Sequence, residues 1–352
     1  MIWRVLLAIG ALTTAVVVLT SPGRYLARGA WEEGRILAKR QSIERLVHDS
    51  TVNAATRAKL RLVLDARDFA QQTLQLNAKK SFTTFTQLDS DTLVLVLTVA
   101  YRDRLAIHTW WWPIVGRVPY KGYFDFGAAK DAQKDWEKKG YDTDLRPSSA
   151  FSTLGWFNDP LLSTTLDADS TFLVNTVVHE LLHNTVWIPG DVSFNESFAS
   201  FVGREGARMF FEARHDSASV AELRRNAPLE RAIGKFYETL YGSLDSAFKA
   251  HPGEGASAAR IAARDTVFTA ARLRLATEIA PAFGIRDTTW AKRFRLNIAT
   301  VLARRVYRED ADEFDAALKS SGGDLRNAII RIGAAARAAP KGHALEALRK
   351  LQ

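Results

Sequence analysis

The chain has 352 residues, 47% of them hydrophobic and 25% charged, which supports a sizeable core and excludes wholesale disorder. The formal net charge of +9 is spread through mixed stretches such as Lys292-Arg293-Phe294-Arg295 and Arg304-Arg305 without a nucleic-acid-binding motif, so no nucleic acid is expected as a partner. The absence of cysteine excludes disulfides, thiolate metal sites and lipid attachment through sulfur, leaving histidine and carboxylate to hold any metal.

In chain order, Met1 to Arg4 is a short basic start, and Val5 to Leu19 (VLLAIGALTTAVVVL) is uncharged. Fifteen residues suit the apolar region of a signal peptide, and counting from Met1 to Thr20 gives just enough length for an uncleaved anchor. Segment 1–21 is therefore expected to be a signal anchor or signal peptide, with the membrane a partner through it. After Ser21-Pro22-Gly23 the spacing predicts amphipathic helices over Tyr25 to Val47 and Ala54 to Leu76, separated by the turn HDSTVN, so that 22–80 forms a set of N-terminal helices. SFTTFTQL alternates, Thr92 to Tyr101 is apolar and β-rich, and Trp110 to Phe126 is aromatic and broken by proline and glycine. A helix from about Gly127 to Lys139 and a turn, strand and loop over Gly140 to Pro160 complete a small β-sheet region.

A helix is then expected from the caps Asp169-Ser170 to about Trp187, a break at Pro189-Gly190-Asp191, and a second helix from about Ser193 to Arg214. Residues 81–215 thus hold the sheet and a motif-bearing core. Residues 216–352 read as helix interrupted at HPGEG, PAFGIRD, KSSGGD and PKG. The fold class expected is α+β and helix-rich, with a small β-sheet before the motif helices and a long helical C-terminal part.

The first of those helices carries the chemistry. In VVHELLHNTVW, His179 and His183 are four apart and share a helix face, so both imidazoles can reach one ion. Glu180 borders that face without being a ligand. This is the His-Glu-x-x-His arrangement of zinc peptidases, in which Zn2+ needs a third protein ligand and an open position for water. Glu196, twelve intervening residues beyond His183, is the natural third ligand. Its own helix face carries Ala199, Ser200, Gly203 and Ala207, small residues that allow close helix approach, whereas Glu205 and Glu212 point roughly away. Asn195 is a candidate support residue that hydrogen-bonds the backbone of the motif helix, and Asp191 or Asp169 is a candidate partner for a ligand histidine's other nitrogen. The competing reading is a buried helix whose two histidines sit in a structural hydrogen-bond network, in a membrane-tethered helical binding or scaffold protein without catalysis. His48, His108, His215, His251 and His343 lack ligand spacing and read as surface or packing residues.

Several stretches together resemble a family of bacterial zinc aminopeptidases within the group whose third metal ligand is a glutamate. They are YLARGAWEEGRIL (Tyr25 to Leu37), PIVGRVPYKGYF (Pro113 to Phe124), AFSTLGWFNDPLLST (Ala150 to Thr164), VVHELLHNTVW with FNESFASFVG, and RLNIATVLARRVY (Arg295 to Tyr307). The resemblance implies a zincin-like metallopeptidase core, export to the periplasm with a tether to the inner membrane, and a peptide substrate. It implies His179, His183 and Glu196 as ligands of Zn2+ and Glu180 as the base acting on a zinc-bound water. Tyr120, Tyr123 and Tyr307 lie in these stretches and are candidate oxyanion donors. A substrate-binding strand upstream of the motif helix would fall at Ala150 to Trp156, including Ala150, Thr153 and Gly155. A free α-amine would need a carboxylate, and Asp125, Asp159 and Glu205 stand open for that role. The family's lipid-attachment cysteine and its cysteines flanking PIVGRVPY are missing here, with tryptophan and arginine in the latter places. Within the enzyme class, an endopeptidase is the alternative.

Overall fold

Aspartates punctuate the chain, and the helices that carry the motif begin on them. The computed structural model describes residue 3 and residues 19–112, 116–148, 160–287, 289–305 and 311–351. Helix α1 (Ser21–Ala38) is followed by β1 (Gln41–Ser42), α2 (Ile43–His48) and α3 (Ala54–Gln72). Strands β2 (Thr84–Thr86), β3 (Val94–Ala100), β4 (Trp110–Trp112), β5 (Gly116–Val118) and β6 (Lys121–Tyr123) precede α4 (Phe126–Lys138), and β7 (Asp142–Ser148) and β8 (Leu161–Leu162) follow it. A single turn, α5 (Ser163–Leu166), leads into α6 (Ser170–Thr185) and α7 (Val192–Ala213). The remaining helices are α8 (Ser217–Lys249), α9 (Ser257–Arg274), α10 (Ala280–Ala282), α11 (Thr289–Arg293), α12 (Ile298–Arg305), α13 (Ala311–Ser320), α14 (Leu325–Ala338) and α15 (Ala344–Leu348). The carboxylates of Asp125, Asp169, Asp191, Asp216 and Asp324 accept first-turn N–H groups of α4, α6, α7, α8 and α14, donors that have no partner within their own helix.

The chain is helix-rich with small sheets. One sheet runs β1-β2-β8, a second runs β6-β3-β7 with both pairings antiparallel, and β4 pairs with β5. The helix expected over Tyr25 to Val47 is divided. Gln41 and Ser42 are drawn into antiparallel pairing with Phe85 and Thr84, and Ser42 then caps α2 by accepting the Arg45 N–H. The helix expected to reach Leu76 stops at Gln72, because the chain turns through a left-handed residue at Gln75 (φ 54°). The motif helix ends at Thr185 rather than Trp187, since Val186 is already extended.

Two large cores and a small cluster of Ile36, Leu93, Val94 and Leu162 hold these elements. The larger one gathers α2, α3, α5, α6, α7, the start of α8 and the distant helices α13, α14 and α15. Phe314 of α13 is fully buried and stacks on Phe198 and Phe201 of α7, with centroids 5.5 and 5.4 Å apart. The second core joins the C-terminal half of α8 with α9, α11, α12 and Ala100 at the end of β3. Residues 216–352 therefore contribute to both cores, and α8 bridges them, with Pro228 in its middle. Among the described residues no helix is long and apolar enough to cross a membrane; the uncharged N-terminal segment lies outside them except for Leu19.

Candidate metal centre

Helix α6 is apolar on nearly every side: Leu173, Val174, Val177, Val178, Leu181 and Leu182 are all buried. Its position is set by polar ties at both ends. Asp169 caps the N-terminus and also accepts from Thr171 Oγ1 at 2.7 Å. Near the C-terminus, Thr185 Oγ1 accepts from Asn77 N at 2.8 Å, and Asn184 Nδ2 donates to Ser81 Oγ at 3.0 Å. Its half-buried positions include His179, Glu180 and His183, with Asn175 and Thr176 one turn before them.

Helix α7 crosses α6 at very short range because of two glycines. A Cβ placed on Gly203 would lie 2.5 Å from Asn175 Oδ1, 2.9 Å from the Asn175 carbonyl oxygen and 3.2 Å from His179 Cβ. A Cβ on Gly206 would lie 2.8 Å from Val178 Cγ1. Ala199 and Ala207 of the same helix are also buried. The approach delivers Glu196 to the histidine pair. Glu196 Oε2 is 3.5 Å from His179 Nε2, Glu196 Oε1 is 3.6 Å from His183 Nε2, and the two Nε2 atoms are 3.2 Å apart. Among the described residues, this is the group of three or more metal-ligating side chains whose ligand atoms converge. Ligands at zinc bond lengths around a tetrahedral centre are separated by about 3.3–3.5 Å, so the triangle's edges have the size that such an ion requires.

The electrostatics agree with the geometry. Burial pushes the Glu196 carboxyl up, but the facing His179 and His183 imidazoles outweigh it and hold the carboxyl down at about 2. Burial alone would lower His183; contact with Glu196, its charge and the charge of Glu180 raise it instead. Nitrogen lone pairs and a carboxylate gathered this tightly need a shared proton or a cation between them. The other ring nitrogen, His183 Nδ1, is buried without a hydrogen-bond partner among the described residues. The residue set thus fits a divalent metal held by two imidazoles and one carboxylate, with Glu180 on the adjoining helix position.

The supporting residues differ in part from those expected. Asn195 is 2% exposed and binds the connecting loop, not the motif helix: its Oδ1 accepts from Ile188 N and its Nδ2 donates to Ile188 O, both at 2.8 Å. That paired contact closes the turn between α6 and α7 and fixes the residue next to Glu196. Asp169 and Asp191 do not reach the histidines. Asp169 is occupied at the start of α6, and Asp191 caps Phe194 N while accepting from Ala344 N at 3.3 Å. Glu205 is held by Arg204 and Arg208 at 3.3 and 2.9 Å, and Asp125 caps α4, so both carboxylates have other duties. Tyr120 lies half exposed just before β6. Tyr307, Asp159 and the strand candidates Ala150, Thr153 and Gly155 lie outside the described residues.

Sequence reasoning missed Trp187. Its half-exposed ring meets His183 edge-on at 5.5 Å between centroids. A tryptophan four residues after a histidine would have flagged a shared face, but the helix ends between them, so only the path of the following loop makes the contact. Comparison with family profiles matches residues 24–343 to the family described as "Putative aminopeptidase". No curated protein and no solved structure shows a significant match.

Proposed function

The chain belongs to that aminopeptidase family, whose description points to peptidase activity, and from this premise we propose a zinc-dependent metallopeptidase that hydrolyses peptides from a free N-terminus. The observation that carries the reading is the convergence of His179, His183 and Glu196 within 4.8 Å, with Glu180 next to the first ligand. His179, His183 and Glu196 would hold Zn2+ in a zincin-like core. When bound, the ion supplies Lewis acidity to water and to the scissile carbonyl.

Glu180 takes the proton of the attacking water and returns it to the leaving amine, so one carboxylate serves as base and then as acid. The facing imidazoles hold the Glu196 carboxyl down, which favours its ionised, ligating form. Asn195 keeps Glu196 in place through the Ile188 loop. The oxyanion donor is assigned to Tyr307 or Tyr120, and the substrate strand to the segment containing Ala150, Thr153 and Gly155. The uncharged N-terminal segment supports export to the periplasm with a tether to the inner membrane.

The test is metal content together with hydrolysis of a panel of aminoacyl fluorogenic substrates. Purified chain should carry about one zinc and cleave unblocked substrates while leaving an N-terminally blocked peptide intact. Glu180→Gln should keep its zinc and lose roughly 10²- to 10⁴-fold in kcat. Full activity in that variant removes Glu180 from the role, and cleavage of the blocked peptide makes the enzyme an endopeptidase. Tyr307→Phe and Tyr120→Phe separate the two oxyanion candidates by which one lowers kcat.

A further inference from the structure

Helix α1 presents an outer face that its own fold does not cover. Buried Glu32 and Ile36 mark the inner side, and the start of the helix is covered at Gly23. On the outer side, Ala27, Trp31, Gly34 and Ala38 form one exposed stripe at helical spacing, and Trp31 is 69% exposed. Beside it runs a second exposed stripe of Arg24, Arg28, Arg35 and Lys39. A Cβ added to Gly34 would meet nothing within 4 Å. Leu26 adds a further exposed apolar side chain near the start of the helix.

Four of the five cations of this segment lie in the basic stripe, while neither of its glutamates is exposed. Residues 20–40 contain Arg24, Arg28, Arg35, Lys39 and Arg40 against Glu32 and Glu33. Glu32 lies on the inner side, 7% exposed, where Arg28 and Arg35 reach back to it at 2.9 and 3.3 Å. Lys39 pairs with the exposed Asp89. The Lys39–Asp89 pair is exposed and weak, whereas Arg28 and Arg35 stay tied to the buried Glu32 carboxylate and carry the rest of their positive charge at the surface.

The place of this face in the chain identifies what it meets. The uncharged segment Val5 to Leu19 ends one residue before α1, and Thr20 caps the helix by accepting the Gly23 N–H. The chain therefore passes from its most apolar stretch directly into a helix with an exposed tryptophan flanked by arginines. Tryptophan, leucine and small residues beside a basic stripe are what a helix lying in a bilayer interface requires.

We propose that the outer face of α1 lies on an anionic phospholipid surface, so that the chain is held against the membrane along the helix as well as through its first residues. This rests on the tethered location given above. It makes the distance of the enzyme from the bilayer a property of α1 rather than of a free linker, and it favours peptide substrates produced close to the membrane.

Because the chain has no cysteine, single nitroxide labels can be placed cleanly. Full-length Ala27→Cys and Trp31→Cys report on the face, and Ser243→Cys, exposed on α8, is the aqueous control. Each labelled chain is mixed with phosphatidylcholine vesicles with or without phosphatidylglycerol. The expected result is that labels at 27 and 31 become more accessible to oxygen than to a water-soluble nickel chelate, only when phosphatidylglycerol is present, and that high salt reverses the effect. The label at 243 should not change. If the chain sediments with vesicles but labels 27 and 31 stay aqueous, the docking face is overturned and the tether stands. If the chain does not sediment at all, both fall. Dipolar broadening between labels without vesicles would identify a second copy of the chain as the occupant and also overturn the proposal. Either label alone suffices should the other variant fail to fold.

Discussion

At the scale of single residues, the side chain beside the proposed ligand Glu196 decides more than its exposure suggests. Asn195 makes no contact with the histidines, yet both of its amide groups are spent on the backbone of Ile188. Replacing it by alanine leaves a buried N–H and a buried carbonyl without partners, which costs about 1–3 kcal/mol. The loop that sets the register of Glu196 would loosen with it. The expected outcome for Asn195→Ala is a lower urea midpoint with unchanged slope and a zinc affinity weaker by about 10- to 100-fold, measured by chelator competition. Asn195→Asp should not rescue either property, because a carboxylate can accept from Ile188 N but cannot donate to Ile188 O. Unchanged zinc affinity in both variants would mean that the loop does not position Glu196.

At the scale of elements, the two motif helices show what could be read from the chain and what could not. The pairing of His179 with His183 follows from helical period alone, and Glu196 follows from the length of the turn and the small residues after it. The roles of Asp169 and Asp191 were only half legible: their position before a helix points to capping, and capping uses the same oxygens that a histidine would need. The break between α1 and α2 was not legible, since Gln41 and Ser42 are extended only because Phe85 and Thr84 pair with them. Gly203 joins local and tertiary effects with opposite signs. Glycine inside a helix is less favourable than alanine by about 0.5–1 kcal/mol, so propensity alone makes Gly203→Ala stabilising. Against that, the new methyl would meet the Asn175 carbonyl at 2.9 Å, a backbone atom that cannot swing aside. Overpacking costs about 1–3 kcal/mol and decides the sign. Gly203→Ala should therefore lower the melting temperature and weaken zinc binding, as α7 moves away from His179. Gly206→Ala should be milder because its close contact is a valine methyl. Thermal melts of the two variants side by side test the order, and a Gly203→Ala variant as stable as the parent would contradict the close crossing.

At the scale of the whole molecule, the packing around the candidate metal centre depends on the far end of the chain. Helices α6 and α7 alone would expose the outer surface of Phe194, Phe198 and Phe201, and that surface is covered by α13, which is reached only after the second core has been built. Phe314 is the wedge: it is 0% exposed, nearly parallel to Phe198 at 7° between ring planes, and within 6.1 Å of Phe194. No local pattern marks it, because DEFDAAL reads as an ordinary amphipathic helix and nothing in its spacing names the partner. Truncating a buried phenylalanine to alanine costs about 3–5 kcal/mol, a large share of the stability of an ordinary domain. The loss should be felt at the proposed zinc site, because Phe194 and Phe198 flank Glu196 on the same helix. Phe314→Ala is therefore expected to lower the urea midpoint and zinc retention together, whereas Leu244→Ala, a cavity of similar kind in the second core, should lower stability with a smaller effect on zinc. Measuring zinc stoichiometry after dialysis at increasing urea separates the two. Equal zinc loss in both variants would make the cores one cooperative unit, and normal zinc retention in Phe314→Ala would show that α13 packs on the metal helices without supporting them.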